Sequence, residues 1–354
     1  MKKIVSLISL LVLAVASLVL AGCGSSNDNI NKSVAISFAN SSASWQRNGN
    51  TLKSLLEAEG FSVDLRFADT TDQQIDDIDK LLDQKPGCIV IGPIDSGVLA
   101  DVLKKAKDNK TPVIAYDRNV LNTDAVSYLA CYDSNAVGVA MGKYIENALN
   151  LKSGAGPFNI EIFGGADTDP NAPLFYTEAM KILKPYMDKG QLVCRSGETS
   201  FEKVFTKDWE PKNAQVRMER IYKQYYAGGA SLDAIVSPND GIAQGILEVL
   251  EQNGYAGHPV ISGQDADPKA LKSIAEGKQT FTIAKDPDKL AAKAVRMIKA
   301  VVEGTEPTLN DETSDNGVMK VPAYLCVPQI IDKTNIDQFM KLFNQKNKWL
   351  EFRL

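Results

Sequence analysis

The sequence predicts an α/β fold of two similar lobes, each a parallel sheet flanked by helices. Short apolar, β-branched runs alternate along the chain with longer stretches of helical periodicity. The connections between these runs are too long for hairpins, which indicates parallel strands with helices over both faces of each sheet. The alternation starts again near residue 133, and no linker rich in Pro, Gly or Ser separates the two halves. We therefore expect two lobes joined by short, ordered crossings.

The first half of the chain holds four predicted strands and three predicted helices. The strands cover 34–38, 62–67, 88–91 and 112–115, and the helices cover 45–59, 72–83 and the apolar face of 94–106. Residues 62–67 alternate apolar and polar side chains, as a half-buried strand does, whereas 88–91 is continuously apolar and predicts a fully buried strand. Gly60 marks the end of the first helix, because glycine readily adopts the backbone conformation that follows a helix C-terminus.

The second half repeats this pattern. Helices are predicted over 135–150, 173–187, 211–226, 242–253 and 287–302, and strands over 158–163, 192–194, 234–236, 260–262 and 280–283. After residue 315 come two short strand-like pieces, 317–321 and 323–327, and then a final helix with a charged terminus. A chain of this length can bury more than one core, which agrees with two lobes.

The first 22 residues predict a secretory signal peptide. Lys2 and Lys3 give a basic start, residues 4–20 are almost entirely apolar, and small residues precede Cys23. The sequence LAGC at 20–23 resembles the bacterial lipoprotein signal, in which this cysteine is lipidated and becomes the first residue of the mature chain. Residues 23–32 then read as a lipidated tether, and we expect the protein outside the cytoplasm, anchored to the bacterial membrane in a periplasm or on the outer face of the cell. The alternative is an uncleaved transmembrane anchor, since the apolar run is nearly long enough to span a bilayer.

Composition argues against several classes of function. The net charge is −5, and it becomes −7 without the signal peptide, which carries two lysines and no acid. A nucleic-acid partner would favour a basic face instead, so we expect none. The single histidine, His258, is too isolated for a His-based metal site or a catalytic triad. We therefore expect no metal, no cofactor and no catalytic residues.

Four cysteines follow the predicted lipidation site. They are Cys88, Cys131, Cys194 and Cys326, widely spaced and without a Cys-x-x-Cys pair. Export would permit disulfides. Three of the four lie in or beside apolar strand-like runs, which favours buried free thiols. The sequence leaves both possibilities open.

Polar side chains follow most of the predicted strands. In an open parallel sheet, ligands bind outside the carboxyl ends of the strands, so these residues are candidates for a site. The set comprises Ser44, Trp45, Arg47, Asp117, Arg118, Asp169, Asn171, Trp209, Asn239, Asp240, Asp265 and Lys285. Carboxylates accept hydrogen bonds, Arg and Lys donate them, Asn does both, and an indole ring covers the apolar face of a sugar. This mixture favours an uncharged, polyhydroxylated ligand.

Each member of the set also has a purely structural interpretation. Asp and Asn after a strand often serve as helix N-caps. A single tryptophan is more often a core residue than a binding platform, and Asp117 with Arg118 could form an ordinary ion pair. The predicted site therefore depends on the whole set rather than on one residue.

Four segments resemble those of a known family, both in their residues and in their order along the chain. They are VIAYDR at 113–118, GPFNIEIFGG at 156–165, SPNDG at 237–241 and ISGQDAD at 261–267. They resemble the extracytoplasmic sugar-binding proteins of bacterial ABC importers, in the ribose/galactose/xylose-binding class, and most of all the xylose and multiple-monosaccharide branch. The resemblance spans residues 33–333. It implies the type 1 periplasmic binding protein fold with a three-strand hinge, the first lobe covering 33–132 and 286–314 and the second covering 133–285 and 318–345.

The resemblance also implies the residues that contact the ligand. Trp45, Asp117 and Arg118 would contact it from the first lobe. Asp169, Asn171, Trp209, Asn239, Asp265 and Lys285 would contact it from the second lobe and the hinge, with Ser44, Arg47 and Asp240 as further candidates. Ser44 replaces an arginine that relatives often carry, and Pro170 replaces a usual asparagine. The sugar therefore stays open among xylose, glucose, galactose and related monosaccharides.

The function implied is capture of a monosaccharide and its delivery to the permease of an ABC importer. The protein would be a lipid-anchored monomer that closes about a hinge on its ligand. One alternative is a sensor that presents the sugar to a chemoreceptor or a histidine-kinase ectodomain. A sugar hydrolase would need Asp117, Asp169 or Asp265 as an acid/base pair. A transcriptional regulator would need a helix-turn-helix where the signal peptide lies.

Overall fold

The computed structural model describes residues 30–40 and 43–346. The predicted signal peptide and the predicted lipidation site at Cys23 lie outside these residues. Within the described part of the chain, no helix combines the length and the apolar character needed to cross a membrane. All the elements given below lie in one unit that begins at Lys32.

The strands and helices alternate along almost the whole chain. The strands are β1 (Ser33–Ala39), β2 (Ser62–Ala68), β3 (Cys88–Gly92), β4 (Val113–Tyr116), β5 (Val126–Tyr132), β6 (Phe158–Ile162), β7 (Leu192–Val193), β8 (Ala234–Val236), β9 (Val260–Ile261), β10 (Phe281–Ala284), β11 (Ala323–Cys326) and β12 (Gln329–Asp332). The helices are α1 (Ala43–Ala58), α2 (Thr71–Asp83), α3 (Ala100–Asn109), α4 (Ser134–Ala148), α5 (Asn171–Asp188), α6 (Phe201–Val204), α7 (Pro211–Ile221), α8 (Asp240–Gln252), α9 (Pro268–Ala275), α10 (Pro287–Val302) and α11 (Ile336–Lys346). A π-helical turn, Tyr222–Tyr226, continues α7.

The first lobe is a six-stranded parallel sheet in the order β11-β5-β4-β3-β1-β2, with helices on both faces. Alternate residues of β1 explain the two layers. Val34, Ile36 and Phe38 belong to the core shared with α1 and α10, whereas Ala35 belongs to the core shared with α2 and α3. Burial on alternate sides of a strand is typical of a parallel sheet that helices cover on both faces.

The second lobe is a four-stranded parallel sheet in the order β7-β6-β8-β9, together with the antiparallel pair β10–β12. Ile160 and Ile162 of β6 belong to a core shared with α4 and α5. Ile235 of β8 belongs to the core on the other face, shared with α7 and α8. The second lobe thus repeats the layered arrangement of the first, and the predicted two-lobe α/β fold is confirmed.

The chain passes between the lobes three times. The passages join β5 to α4, β10 to α10, and β11 to β12. Helix caps keep the first two passages short: Asp133 accepts a hydrogen bond from the backbone N–H of Ala136 at 3.0 Å, and Asp286 accepts one from that of Asp288 at 3.0 Å. The three passages are the hinge that the resemblance implied.

The structure corrects the predicted C-terminal elements. β11 pairs in parallel with β5, so it belongs to the first lobe and not to the second, where a boundary near residue 318 placed it. Residues 317–321 form no strand, because Asn316 Oδ1 accepts hydrogen bonds from the backbone N–H groups of Val318 and Met319 and turns the chain. No helix was predicted at α9, only the apolar run beside Cys131 indicated β5, and the helix predicted from residue 94 begins at Ala100.

Three helices of this fold begin with an acidic residue followed by proline. The pairs are Glu210-Pro211 at α7, Asp267-Pro268 at α9 and Asp286-Pro287 at α10. Proline suits the first helical position because its φ is already helical and it lacks an N–H that would have no partner there. The acid interacts favourably with the positive end of the helix dipole. Two of these helix starts, at Glu210 and Asp267, bring an acidic residue to the space between the lobes.

Gly138 allows α4 and α5 to pack closely. A Cβ at this position would lie 2.5 Å from the backbone oxygen of Phe175, so the two helices would have to move apart. We expect Gly138→Ala to lower the free energy of unfolding by about 1–3 kcal/mol, measured by urea denaturation. Gly228→Ala is the matched control, because a Cβ there meets no atom within 4 Å. Equal stability of the two variants would contradict the close approach of the helices.

Candidate functional site

A cavity of about 660 Å³ lies between the two lobes, where the carboxyl ends of their strands meet. Its wall contains all but one of the candidate residues: Ser44, Trp45, Arg47, Asp117, Arg118, Asp169, Asn171, Trp209, Asn239, Asp265 and Lys285. The exception is Asp240. The fold thus brings together side chains that are spread over most of the sequence.

Lys285 lies between two carboxylates of the cavity wall. Its Nζ is 3.6 Å from Oδ1 of Asp117 and 3.3 Å from Oδ1 of Asp265. Burial acts to lower the pKa of this ammonium group, but the charges of Asp117, Asp265 and Asp169 outweigh burial and hold the pKa above its usual value. Lys285 is therefore a permanent positive charge that joins an aspartate following β4 to an aspartate following β9.

The two aspartates beside Lys285 have an unusual backbone conformation. Asp117 has φ of 64° and Asp265 has φ of 97°, in the region that favours glycine. Both are held there by the sheets, since the N–H of Asp117 donates to Ala130 O and that of Asp265 donates to Ile283 O, each at 2.9 Å. Backbone strain of this kind concentrates at binding and catalytic sites. Its presence at both aspartates indicates that the cavity is a functional site.

Asp169 and Asn171 join the second lobe to the first. Nε of Arg118 lies 2.7 Å from Oδ2 of Asp169, and Nδ2 of Asn171 donates to the backbone oxygen of Asp117 at 2.9 Å. The Asn171 amide is oriented by Ser134, whose Oγ donates to Oδ1 at 2.9 Å. Burial raises the pKa of Asp169, while the positive charge of Arg118 opposes the rise. The lobes are thus in direct contact along one side of the cavity.

Each tryptophan of the cavity wall packs against a glycine. A Cβ on Gly92 would lie 2.5 Å from the ring of Trp45, and a Cβ on Gly165 would lie 2.1 Å from the ring of Trp209. The guanidinium carbon of Arg118 is 5.4 Å from the centre of the Trp45 ring, within the range of a cation–π interaction. Trp45 is largely buried, so it is a core residue and a wall residue at once.

Asn239 combines the two roles that the sequence left open for it. Its Oδ1 accepts a hydrogen bond from the backbone N–H of Ile242 at 2.9 Å and so caps α8. Its backbone oxygen accepts a hydrogen bond from Ser237 Oγ, also at 2.9 Å. Because Oδ1 is used by the cap, the amide nitrogen is the part of Asn239 that can serve a ligand in the cavity.

Asp240 is corrected from a ligand candidate to a structural residue. It is the first residue of α8, lies outside the cavity wall and is fully buried. Its carboxylate accepts hydrogen bonds from Gln279 Nε2 at 2.8 Å, Thr282 Oγ1 at 2.9 Å and the backbone N–H of Asp267 at 2.9 Å. Burial, and after it the charge of Asp267, raise the pKa of Asp240 well above its usual range.

The cavity wall also contains Gln264 and Asp267. Gln264 is one of the polar residues that follow a predicted strand, and the same signal could have identified Asp267, which lies two positions after Asp265. Oδ1 of Asp267 lies 3.5 Å from Nη2 of Arg47, which belongs to α1 of the first lobe. Burial, and after it the charge of Asp265, raise the pKa of Asp267 to about 6.

Several buried polar atoms of the wall have no hydrogen-bond partner among the described residues. Apart from Nε of Arg118, which is ion-paired with Asp169, they are Nε of Arg47, Nε1 of Trp209 and Oε1 of Gln264. A buried polar atom without a partner costs about 1–3 kcal/mol, so such atoms indicate where a polar ligand completes the structure. Two donors and one acceptor suit hydroxyl groups, which both donate and accept.

The chemistry of the wall is that of a binding site. The lining residues include no cysteine and no histidine. Cys88, Cys131, Cys194 and Cys326 are free thiols elsewhere in the fold. In the described ranges, no group of His, Cys, Asp and Glu residues has the arrangement of a metal site. The cavity can enclose a small polar molecule and match its hydroxyl groups.

Comparison with known proteins identifies the family. Residues 34–306 match the model of the periplasmic binding protein domain. The multiple sugar-binding periplasmic receptor ChvE of Rhizobium radiobacter is 39% identical over 346 residues, covering 96% of this chain and 97% of the relative. The D-xylose-binding periplasmic protein of Escherichia coli is 32% identical over 293 residues, covering 82% and 84%. A solved ABC transporter solute binding protein from Clostridium phytofermentans with bound β-D-glucose has a TM-score of 0.86 at 39% identity, over 90% of this chain and 98% of that one.

The chain belongs to the periplasmic binding protein family. This finding confirms the resemblance that the four sequence segments suggested. The family consists of substrate-binding receptors and not of enzymes, so the hydrolase alternative is excluded.

Asp240 should be a stability determinant of the second lobe. In Asp240→Ala, Gln279 Nε2, Thr282 Oγ1 and the backbone N–H of Asp267 lose their common acceptor. We expect the free energy of unfolding to fall by about 2–3 kcal/mol in urea denaturation, since these buried donors would lack partners. Asp101→Asn is the control, because the Asp101 side chain is 92% exposed and far from this network in sequence. A fully stable Asp240→Ala protein would show that the network is dispensable.

Proposed function

We propose that this protein captures a neutral monosaccharide, such as glucose, xylose or galactose, between its lobes and delivers it to an ABC importer. The observation that carries the proposal is the cavity wall, where Lys285 and its two aspartates, two indole rings and three unpartnered buried atoms surround one space. The volume of about 660 Å³ falls within the usual range for small-molecule sites. The glucose bound in the solved neighbour and the names of the relatives support this class of ligand.

Each of these polar residues of the wall has a donor or acceptor that its contacts within the protein leave free for the ligand. Asp117 and Asp265 accept hydrogen bonds from sugar hydroxyls, and Lys285 between them can donate to a further oxygen. Asn171 uses Oδ1 and one N–H for Ser134 and Asp117, which leaves one N–H for the ligand. Asn239, with Oδ1 engaged as a cap, likewise acts as a donor. Hydrogen bonds to charged groups are about twice as strong as neutral ones, so the aspartates contribute most.

The two indole rings would cover the apolar faces of the sugar. Trp45 belongs to the first lobe and Trp209 to the second, so the rings approach the cavity from different lobes. Nε1 of Trp209 is buried, has no acceptor in the part of the chain that the structure describes, and can donate to a hydroxyl or ring oxygen. C–H groups against an aromatic ring and a hydroxyl at its nitrogen together match the amphipathic surface of a pyranose.

Ligand capture follows from the placement of these residues on both lobes. A sugar that contacts both lobes stabilises the form in which they approach each other, and this shifts the equilibrium from open to closed. Contacts already span the space beside the cavity, since the N–H of Ser96 donates to Thr168 O at 3.3 Å near the Arg118–Asp169 pair. We take the first lobe as residues 33–132, residues 286–314 and β11, and the second as residues 133–285 with the segment from β12 onward.

We also propose that Cys23 carries the lipid anchor and that residues 23–32 tether a monomeric binding unit to the membrane. The basic start at Lys2 and Lys3, the apolar run and the sequence LAGC support this assignment. Multiple acyl chains, at about 0.8 kcal/mol for each buried CH₂, would hold the protein firmly at the surface. The anchored protein would then stay close to the permease to which it delivers the sugar.

A thermal-shift screen of the chain from Ser25 onward tests the proposed ligand class. D-glucose, D-xylose, D-galactose and other monosaccharides are compared with nucleosides and amino acids. A ligand at a hundredfold excess over its Kd adds about 2.7 kcal/mol of stability, which raises Tm measurably. We expect shifts with one or a few monosaccharides only. Shifts with nucleosides or amino acids alone would overturn the sugar assignment.

Asp265→Asn tests whether the ligand found in this screen binds in the cavity. The substitution removes a charged acceptor from beside Lys285 but keeps the shape of the side chain and tolerates the positive φ. We expect the sugar affinity to fall by about 10- to 150-fold in isothermal titration, while the free protein stays folded because Asp117 still pairs with Lys285. Asp101→Asn, an exposed acid outside the cavity, should bind as the wild type does. Unchanged affinity of Asp265→Asn would refute the placement of Asp265 at the ligand.

Cys23→Ser tests the lipid anchor. In bacteria fed a labelled fatty acid, the wild-type chain should carry the label and sediment with membranes, because Cys23 is the acylated residue. The variant should carry no label and lose its membrane association. Cys194→Ser, which alters a thiol of the folded part, is the control and should stay labelled. A labelled Cys23→Ser protein would contradict the assignment.

A further inference from the structure

An ion pair joins the two lobes at the edge of the cavity. Nη2 of Arg47, on α1 of the first lobe, lies 3.5 Å from Oδ1 of Asp267, at the start of α9 in the second lobe. The Arg47 side chain is 23% exposed and that of Asp267 is 37% exposed, so the pair lies between the interior of the cavity and the solvent. Both residues line the cavity.

We propose that Asp267 is a positioning residue of the ligand site: it holds Arg47 across the mouth and so slows the release of the bound sugar. The inference rests on the proposed function. In this proposal Asp267 affects the ligand indirectly, by positioning Arg47. No sequence pattern indicated that Arg47 and Asp267 are in contact.

One side of the Arg47 guanidinium group contacts the protein, and the other side is available to the ligand. Nη2 faces Asp267, while Nε is buried and has no acceptor among the described residues. A sugar oxygen in the cavity can supply that acceptor, because Arg47 is part of the wall. Asp267 orients the planar group from one side and the ligand would bind it from the other, as the fixed fork of an arginine allows.

The backbone of Asp267 is fixed by a hydrogen bond, and its side chain contacts Arg47 of the other lobe instead of capping its own helix. It is the N-cap residue of α9, yet its carboxylate accepts no hydrogen bond from the first turn of that helix. Its backbone N–H donates to Oδ2 of the buried Asp240 at 2.9 Å, and Pro268 follows it at the first helical position. An aspartate at this position usually caps the helix, whereas the Asp267 carboxylate makes no cap and pairs with Arg47 instead.

The charges around Asp267 make its attraction to Arg47 significant. Asp265 and Asp240 are the nearby acids, and Arg47 and Lys285 are the nearby bases. Burial, and then Asp265, raise the pKa of Asp267 to about 6, so the carboxylate is ionised at pH 7.5. Lys285 is already shared by Asp117 and Asp265, which leaves Arg47 as the cation that pairs directly with Asp267.

A double-mutant cycle on sugar release tests the proposal. The variants are Arg47→Met, Asp267→Asn and the two combined, with D-glucose and D-xylose as probes and stopped-flow tryptophan fluorescence at pH 7.5 as the measurement. We expect each single variant to release sugar about three- to tenfold faster, and the double variant to be no faster than the Arg47→Met variant. Arg47→Lys, which keeps the charge, should recover part of the slow release. Asp101→Asn, whose exposed carboxylate pairs with Lys104 outside the cavity, should release sugar as the wild type does.

The outcomes separate this proposal from the function on which it rests. Wild-type binding of a probe together with wild-type release rates in Asp267→Asn overturns the positioning role alone. Additive effects in the double variant would mean that Asp267 acts on its own helix and not through Arg47, and this also overturns the proposal. A wild-type protein that binds neither probe counts against the proposed function and this inference together.

Discussion

The position of one buried ammonium group determines how the two lobes share a site. Lys285 follows β10, and its Nζ lies within 3.6 Å of carboxylates from both lobes. Without that charge, Asp117 and Asp265 would face each other at the cavity with no cation between them, and removing one partner of a buried ion pair costs about 3–5 kcal/mol. The strained backbone of both aspartates is tolerated because the sheets and Lys285 hold them. The same contacts connect the ligand to the relative position of the lobes.

The layered fold and most of the site could be predicted because both depend on local patterns. The alternation of apolar and polar side chains in β2 and the continuous apolar run of β3 are visible in the sequence, and each indicates a strand of the predicted sheet. Carboxyl ends of parallel strands meet at one edge of a sheet, so Asp117, Asn239 and Asp265 were expected to lie near one another. The cavity wall contains all three.

The remaining features depend on contacts between residues that are far apart in the sequence or on the direction in which a side chain points, and a local sequence pattern shows neither. β11 joins β5 across almost 200 residues of sequence, and nothing in its four residues indicates which sheet it enters. Asn239 and Asp240 are adjacent, and the start of α8 turns one toward the cavity and the other into the core, where Gln279 and Thr282 donate to it. Asp267 follows the same strand as Asp265, but its partner is an arginine 220 positions away.

The glycines beneath the two indole rings suggest which parts of this site can change during evolution. Any side chain at Gly92 or Gly165 would occupy the space of Trp45 or Trp209, so these positions allow almost no neutral drift. Ser44 lies in the same wall, and a larger side chain there would change the shape of the cavity without touching either glycine. A lineage that keeps its tryptophan–glycine pairs can therefore acquire new ligand preferences by substitution at positions such as Ser44.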